Sequence, residues 1–155
     1  MTQVAFWRDS RERTRFLKFA VVGAIGAVID FAVANLLVYT FHTSLLVAGT
    51  ISFICAIFSN FTWNRLWTYP DSRSKSPLTQ FIQFSVISVI GLIILVPILK
   101  FGEPLLLQIF ESLPFQFPIL TPDFLAKNFT LALAIIIVMF WNFFINRYWT
   151  YSDVE

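Results

Sequence analysis

Four runs of about 20 apolar residues, at 18–39, 45–64, 81–99 and 128–145, fill most of this 155-residue chain and constrain its fold more than any other feature. A helix needs roughly 20 such residues to cross the hydrocarbon core of a bilayer. No water reaches the backbone there, so each run must satisfy its own peptide groups as a helix. The composition leaves no competing class. With 57% hydrophobic and 13% charged residues the chain cannot be a soluble globular domain, and nineteen Phe with five Trp exclude a disordered or nucleic-acid-coating chain. The sequence therefore predicts an all-α membrane protein with residues 1–155 as a single transmembrane domain and no room for a separate catalytic domain. The basic start resembles a signal peptide, but the first run is too long and lacks a small-residue cleavage site, so it reads as a retained span. Cys55 is the only cysteine, which excludes an intramolecular disulfide and a cysteine-built zinc site.

The connections are short except for one. Residues 100–127 carry Pro104, Pro114, Pro118 and Pro122 around Leu105, Leu106, Leu107, Ile109, Phe110 and Leu113, and this piece is expected as a short interfacial helix in the outer loop. Pro97 is expected to kink the third span. Arg8, Arg11, Arg13, Arg15, Lys18, Arg65, Arg73, Lys75 and Arg147 fall on one side of the spans and only Lys100 and Lys127 on the other. By the positive-inside rule both termini are cytoplasmic. The basic side, tempered by Asp9, Glu12, Asp71, Asp153 and Glu155, suits anionic lipid headgroups.

The chain also repeats itself. Asn60-Phe61-Thr62-Trp63-Asn64-Arg65-Leu66-Trp67-Thr68-Tyr69 matches Asn142-Phe143-Phe144-Ile145-Asn146-Arg147-Tyr148-Trp149-Thr150-Tyr151 at seven of ten positions, at an offset of 82. Phe16, Phe19 and Gly26 match Phe81, Phe84 and Gly91 at an offset of 65, so the second unit is 17 residues longer, in its outer connection. Each unit holds two spans, which makes the units parallel repeats, with a pseudo-twofold axis along the membrane normal as the natural arrangement.

Within the repeated segment, Asn60, Asn64 and Trp67 share one helical stripe, and Asn142, Asn146 and Trp149 share its counterpart. An amide in hydrocarbon is costly without a partner, so the asparagines either bond a neighbouring helix or contact a polar ligand. Arg65 and Arg147 carry the planar fork of donors that suits phosphate oxygens. Trp67, Tyr69, Trp149 and Tyr151 fit an interfacial aromatic belt, with or without a further role. Asp30 lies near the middle of the first run, where a carboxylate marks a transport path or sits protonated against a neighbour. Gly23, Ala27, Asp30 and Ala34 share a stripe expected to be the close-packing face. His42 reads as a polar turn residue. The second repeat has Leu95 where the first has Asp30.

These motifs together resemble the GtrA-like membrane proteins: the opening Phe16-Leu17-Lys18-Phe19-Ala20-Val21-Val22-Gly23 with Asp30 following, the two Asn-to-Tyr segments, and the 81–91 segment. The resemblance covers nearly the whole chain. It implies a four-span protein of a bacterial-type inner membrane that translocates a polyprenyl-phosphate-linked sugar for cell-surface glycan synthesis. A polyprenyl-phosphate glycosyltransferase is the implied partner. On that expectation Arg65 and Arg147 attract the phosphate, Asn60, Asn64, Asn142 and Asn146 contact sugar or phosphate oxygens, and Asp30 provides a polar step. Two other classes fit part of the pattern: a non-transporting anchor that recruits the glycosyltransferase, and a small multidrug-type exporter using Asp30. No catalytic set, metal, cofactor or nucleic-acid partner is expected. Four short helices make a small bundle, so a homo-oligomer is plausible on size alone.

Overall fold

The computed structural model describes residues 9–112 and 120–154, and these contain helix and turn but no strand. Helix α1 spans Ser10–Phe41, α2 Leu45–Trp63, α3 Pro77–Glu111 and α4 Pro122–Ile145. With the turns that extend α2 and α4, all four are long and apolar enough to cross a membrane. Most of their apolar side chains, Phe31, Leu46 and Ile93 among them, remain exposed, as helices facing lipid require. The chain is a multi-pass membrane protein.

Local chemistry sets the ends. Asp9 caps α1 by accepting the Arg11 N–H at 2.8 Å. His42 ends it in the left-handed region (φ 53°), its N–H donating to Leu37 O, and Ser44 Oγ caps α2 through the Val47 N–H. His42 is thus the hinge of the α1–α2 hairpin as well as a polar loop residue. Helix α3 continues through Pro97 and Pro104. The apolar residues expected to form a separate interfacial helix, Leu105 to Phe110, are instead the last turns of α3; Leu113, Pro114 and Pro118 lie outside the described residues. Pro interrupts one backbone bond but the flanking apolar helix continues, a tolerance familiar from membrane helices.

Two compact units are present, one of Met1–Ser85 and Ile145–Glu155, the other of Val86–Phe144. The first unit packs α1 against α2. Its buried stripe on α1 is Glu12, Arg15, Phe19, Val22 and Gly26; on α2 it is Ala48, Ser52, Ala56, Ile57 and Phe61. The expected small-residue face of α1 is therefore displaced by one residue per turn. Gly23 is exposed with nothing within 4 Å of an added Cβ, whereas Gly26 is covered. Gly26 is selected because Asn60 fills the space of its missing side chain: an added Cβ would lie 2.6 Å from Asn60 Cγ and closer still to the amide ends.

The second unit repeats this contact. A Cβ on Gly91 would lie 2.9 Å from Asn142 Nδ2, and that amide donates to Val138 O at 3.0 Å. Trp141 Nε1 donates to Ile87 O at 3.2 Å, and Thr130 Cγ2 occupies the open side of Gly102. Burial repeats with the sequence. Phe19 and Phe84, Val22 and Ile87, and Gly26 and Gly91 are buried at the offset of 65, and Phe61 and Phe143, Asn64 and Asn146, Thr68 and Thr150, and Tyr69 and Tyr151 at the offset of 82.

Candidate functional site

The repeated segments end in the same unusual way. Asn64–Thr68 and Asn146–Thr150 are π-helical turns, each closed by an N–H to O bond of 2.8 Å, from Tyr69 to Asn64 and from Tyr151 to Asn146. Single π turns favour functional positions because they shift side chains against the regular helical face. Here the shift turns two tyrosines inward. Tyr69 and Tyr151 stack at 4.2 Å between ring centroids with 17° between planes, and both are fully buried. They are core residues, whereas Trp67 and Trp149 are each close to half exposed. Burial, reinforced by the negative charge of Glu12, pushes the Tyr69 phenol up, and burial followed by its neighbour Tyr69 does the same to Tyr151. Both rings stay neutral.

An ion-pair network surrounds the stack. Glu12 accepts from Arg15 Nη1 and, across the fold, from Arg147 Nε at 3.1 Å and Nη2 at 3.0 Å. Arg15 Nη2 reaches Asp71 at 2.7 Å, its guanidinium lies 5.9 Å from the Tyr69 centroid, and Arg147 Nη1 donates to Tyr151 O at 3.3 Å. The 70–76 loop is tied to the C-terminal turn beside it. Asp153 accepts from Ser72 Oγ, from Ser74 Oγ at 2.8 Å and from Ser74 N–H at 3.0 Å, while Lys75 Nζ caps Trp149 O and Ser152 Oγ. Partial burial works against the Asp153 charge, but these hydrogen bonds outweigh it and hold the carboxyl at about 2. Gln80 Nε2 joins the loop through Ser72 Oγ at 2.6 Å.

These residues escaped the sequence reading, although the repeat contains a signal for them. Gln80 is the counterpart of Arg15 at the offset of 65, and Asp153 of Asp71 at the offset of 82. The counterpart of Glu12 is Pro77, so the acid that neutralises Arg147 has no equivalent for Arg65.

The two copies differ likewise at Asn64 and Asn146 and at Thr68 and Thr150. In the second copy Thr150 Oγ1 donates to Asn146 Oδ1 at 2.8 Å and Arg147 is ion-paired. In the first copy Asn60 Oδ1, Asn64 Oδ1, Thr68 Oγ1 and Arg65 Nη1 are all buried and have no hydrogen-bond partner among the described residues. Asn60, Asn64 and Thr68 are spaced by four on one helix face, so they form a polar column along α2. The column begins at Gly26, one turn of α1 from Asp30. Asp30 itself is half-buried, with no hydrogen bond or ion pair among the described residues. At its other end, Thr68 lines an open groove of about 410 Å³ between the first turns of α1 and the 68–71 turn.

Of the residues singled out in the sequence, Asn60 and Asn64 thus stand in this column, Arg65 is beside it, and Asp30 is one turn of α1 from Gly26 at its end. Asn146 and Arg147 are occupied by Thr150 and Glu12, and Asn142 is seated against Gly91 and Val138 in the other unit.

A family profile described as GtrA/DPMS, transmembrane domain, matches residues 18–151. No curated protein matches the chain.

Proposed function

The chain belongs to the GtrA/DPMS transmembrane-domain family, and from that premise we propose that it translocates a polyprenyl-phosphate-linked sugar across the membrane. Family membership supports a role in polyprenyl-phosphate-sugar membrane function. The step from that role to translocation is carried by one observation, the polar column of α2. A buried oxygen without a hydrogen bond costs roughly 1–3 kcal/mol, and three such oxygens on one helix face are expensive unless polar groups visit them. Sugar hydroxyls are suitable visitors because each both donates and accepts. Arg65 beside the column supplies the fixed charge for a phosphate.

In this scheme the isoprenoid tail stays in lipid while the headgroup moves along Thr68, Asn64 and Asn60 towards Asp30. The second copy of the segment acts as scaffold: Arg147 holds Glu12, and Asn146 holds Thr150. Asn142 buttresses α3 through Gly91. The termini lie in the cytoplasm of a cell with a bacterial-type inner membrane, and the chain itself performs no covalent chemistry. A polyprenyl-phosphate glycosyltransferase supplies the substrate. The working assembly is a homo-oligomer.

The test is binding of a polyprenyl phosphate to the full chain in nanodiscs of neutral phosphatidylcholine. Arg65→Gln is expected to weaken affinity about tenfold, the loss of one charge-assisted contact. Arg147→Gln is expected to lower the melting temperature through its lost pairing with Glu12. Unchanged affinity in folded Arg65→Gln removes Arg65 from the site.

A further inference from the structure

The groove at the end of the column has a chemistry of its own. Arg11, Arg15 and Lys18 line it from successive turns of α1, with Thr68 and Asp71 opposite. Its charges are not equally engaged. Arg15 is committed to Glu12 and Asp71. Among the described residues Lys18 Nζ touches only neutral groups, donating to Trp67 O at 3.2 Å and lying 5.4 Å from the Trp67 ring centroid. Arg11 is exposed, and its guanidinium has no ion pair among the described residues. Two cations on one wall therefore face a cavity whose single acid is already neutralised.

A second, independent feature points to a ligand. Thr68 is 2% exposed and is one of the residues lining the groove, and its Oγ1 has no hydrogen-bond partner among the described residues, although its counterpart Thr150 bonds Asn146. Two cations on the wall of a groove of about 410 Å³, with the buried Thr68 beside them, suit a phosphate ester with room beside the phosphate for a further polar group.

We infer that the groove is a loading site: Arg11 and Lys18 bind the phosphate ester of the incoming headgroup, and Thr68 passes its polar part onto the α2 column. This rests on the translocation reading for its purpose, but not for the binding itself. The phosphate could arrive on a polyprenyl chain, on a bulk phospholipid or on a soluble nucleotide sugar, and the three are separable by experiment.

The full chain in phosphatidylcholine nanodiscs is titrated with a polyprenyl phosphate, with competition by phosphatidylglycerol or by a soluble nucleoside diphosphate sugar. The double variant Arg11→Gln/Lys18→Gln is expected to bind the polyprenyl phosphate at least about tenfold more weakly than wild type, a difference of roughly 1.4 kcal/mol. Arg13→Gln, which removes an exposed charge from the same end outside the groove, is expected to change affinity less than about twofold, as a screened surface charge should. Competition by phosphatidylglycerol at equal mole fraction, or by the nucleotide sugar at lower concentration, overturns the assignment of a polyprenyl headgroup. Equal weakening in Arg13→Gln, or wild-type affinity in the folded double variant, overturns the groove as a site. Because Lys18→Gln alone leaves the Glu12 network untouched, its affinity decides the question if the double variant fails to fold. Translocation at an unchanged KM in these variants rejects the groove while sparing transport; groove binding without translocation does the reverse.

Discussion

Glu12→Ala is expected to destabilise the protein by about 3 kcal/mol, the scale for removing one member of a largely buried ion pair. Glu12 is 7% exposed, and the side chains of its partners Arg15 and Arg147 are about nine-tenths buried. The loss exceeds the value of the contacts themselves, because Arg147 is left charged, desolvated and without an acid. Two further variants separate these effects. Glu12→Gln keeps acceptor capacity and should lose less, and Glu12→Ala combined with Arg147→Met should recover much of the deficit by removing the stranded charge. Equilibrium unfolding in mild detergent gives the coupling energy. A single variant within about 0.5 kcal/mol of wild type would mean that the network contributes no more than a surface ion pair.

Gly26→Ala is the second large effect. An added methyl would overlap the Asn60 amide, and the amide can yield only by leaving its seat between α1 and α2. Overpacking of this kind costs about 1–3 kcal/mol. The distinguishing expectation is rescue: Asn60→Ala should restore stability in the Gly26→Ala background, because the new methyl then fills the space the amide vacated. Gly23→Ala, three residues earlier with open space around it, should be neutral or slightly stabilising through its higher helix propensity. Thermal unfolding of the three variants settles the contact. Equal losses at Gly23 and Gly26, or no rescue by Asn60→Ala, would contradict the packing described.

The four helices and the equivalence of the two copies were legible in the sequence because both rest on local signals. Apolar run length decides a span, and the residues repeated at fixed offsets recur in burial and in one helix contact, as Gly26 with Asn60 and Gly91 with Asn142 demonstrate. Pairing was not legible. The bond from Arg147 to Glu12 joins residues 135 apart, and nothing in either segment marks its partner. The tyrosines illustrate the same limit. Trp-Thr-Tyr after an apolar run is the pattern of an interfacial belt, and only the π turn, which no residue announces, rotates Tyr69 and Tyr151 into the core. On α1, several stripes of small residues were available, and the position of Asn60 on α2 chose the one containing Gly26. The extent of α3 was missed for a different reason. Proline is a strong helix breaker in water, but a lipid-facing helix continues past Pro97 and Pro104 because unravelling would expose more backbone than each proline removes.

The polar column raises the chemical question of what its unpartnered oxygens bind. Asn64 and Asn146 are equivalent in sequence and burial, and differ only in whether a threonine four residues on completes them. Arg65 and Arg147 differ only in having Pro77 or Glu12 at the corresponding place. At these positions the second copy is internally paired and the first, among the described residues, is not.

The most direct test is movement of a polyprenyl-phosphate-linked sugar across liposomes containing the purified full chain, comparing wild type with Asp30→Asn, Asn64→Leu and Arg65→Gln. Transport by wild type, slowed about tenfold or more in each folded variant, is the expected result. No movement by folded wild type, with intact substrate and with a polyprenyl-phosphate glycosyltransferase present, would contradict translocation and favour recruitment of such an enzyme.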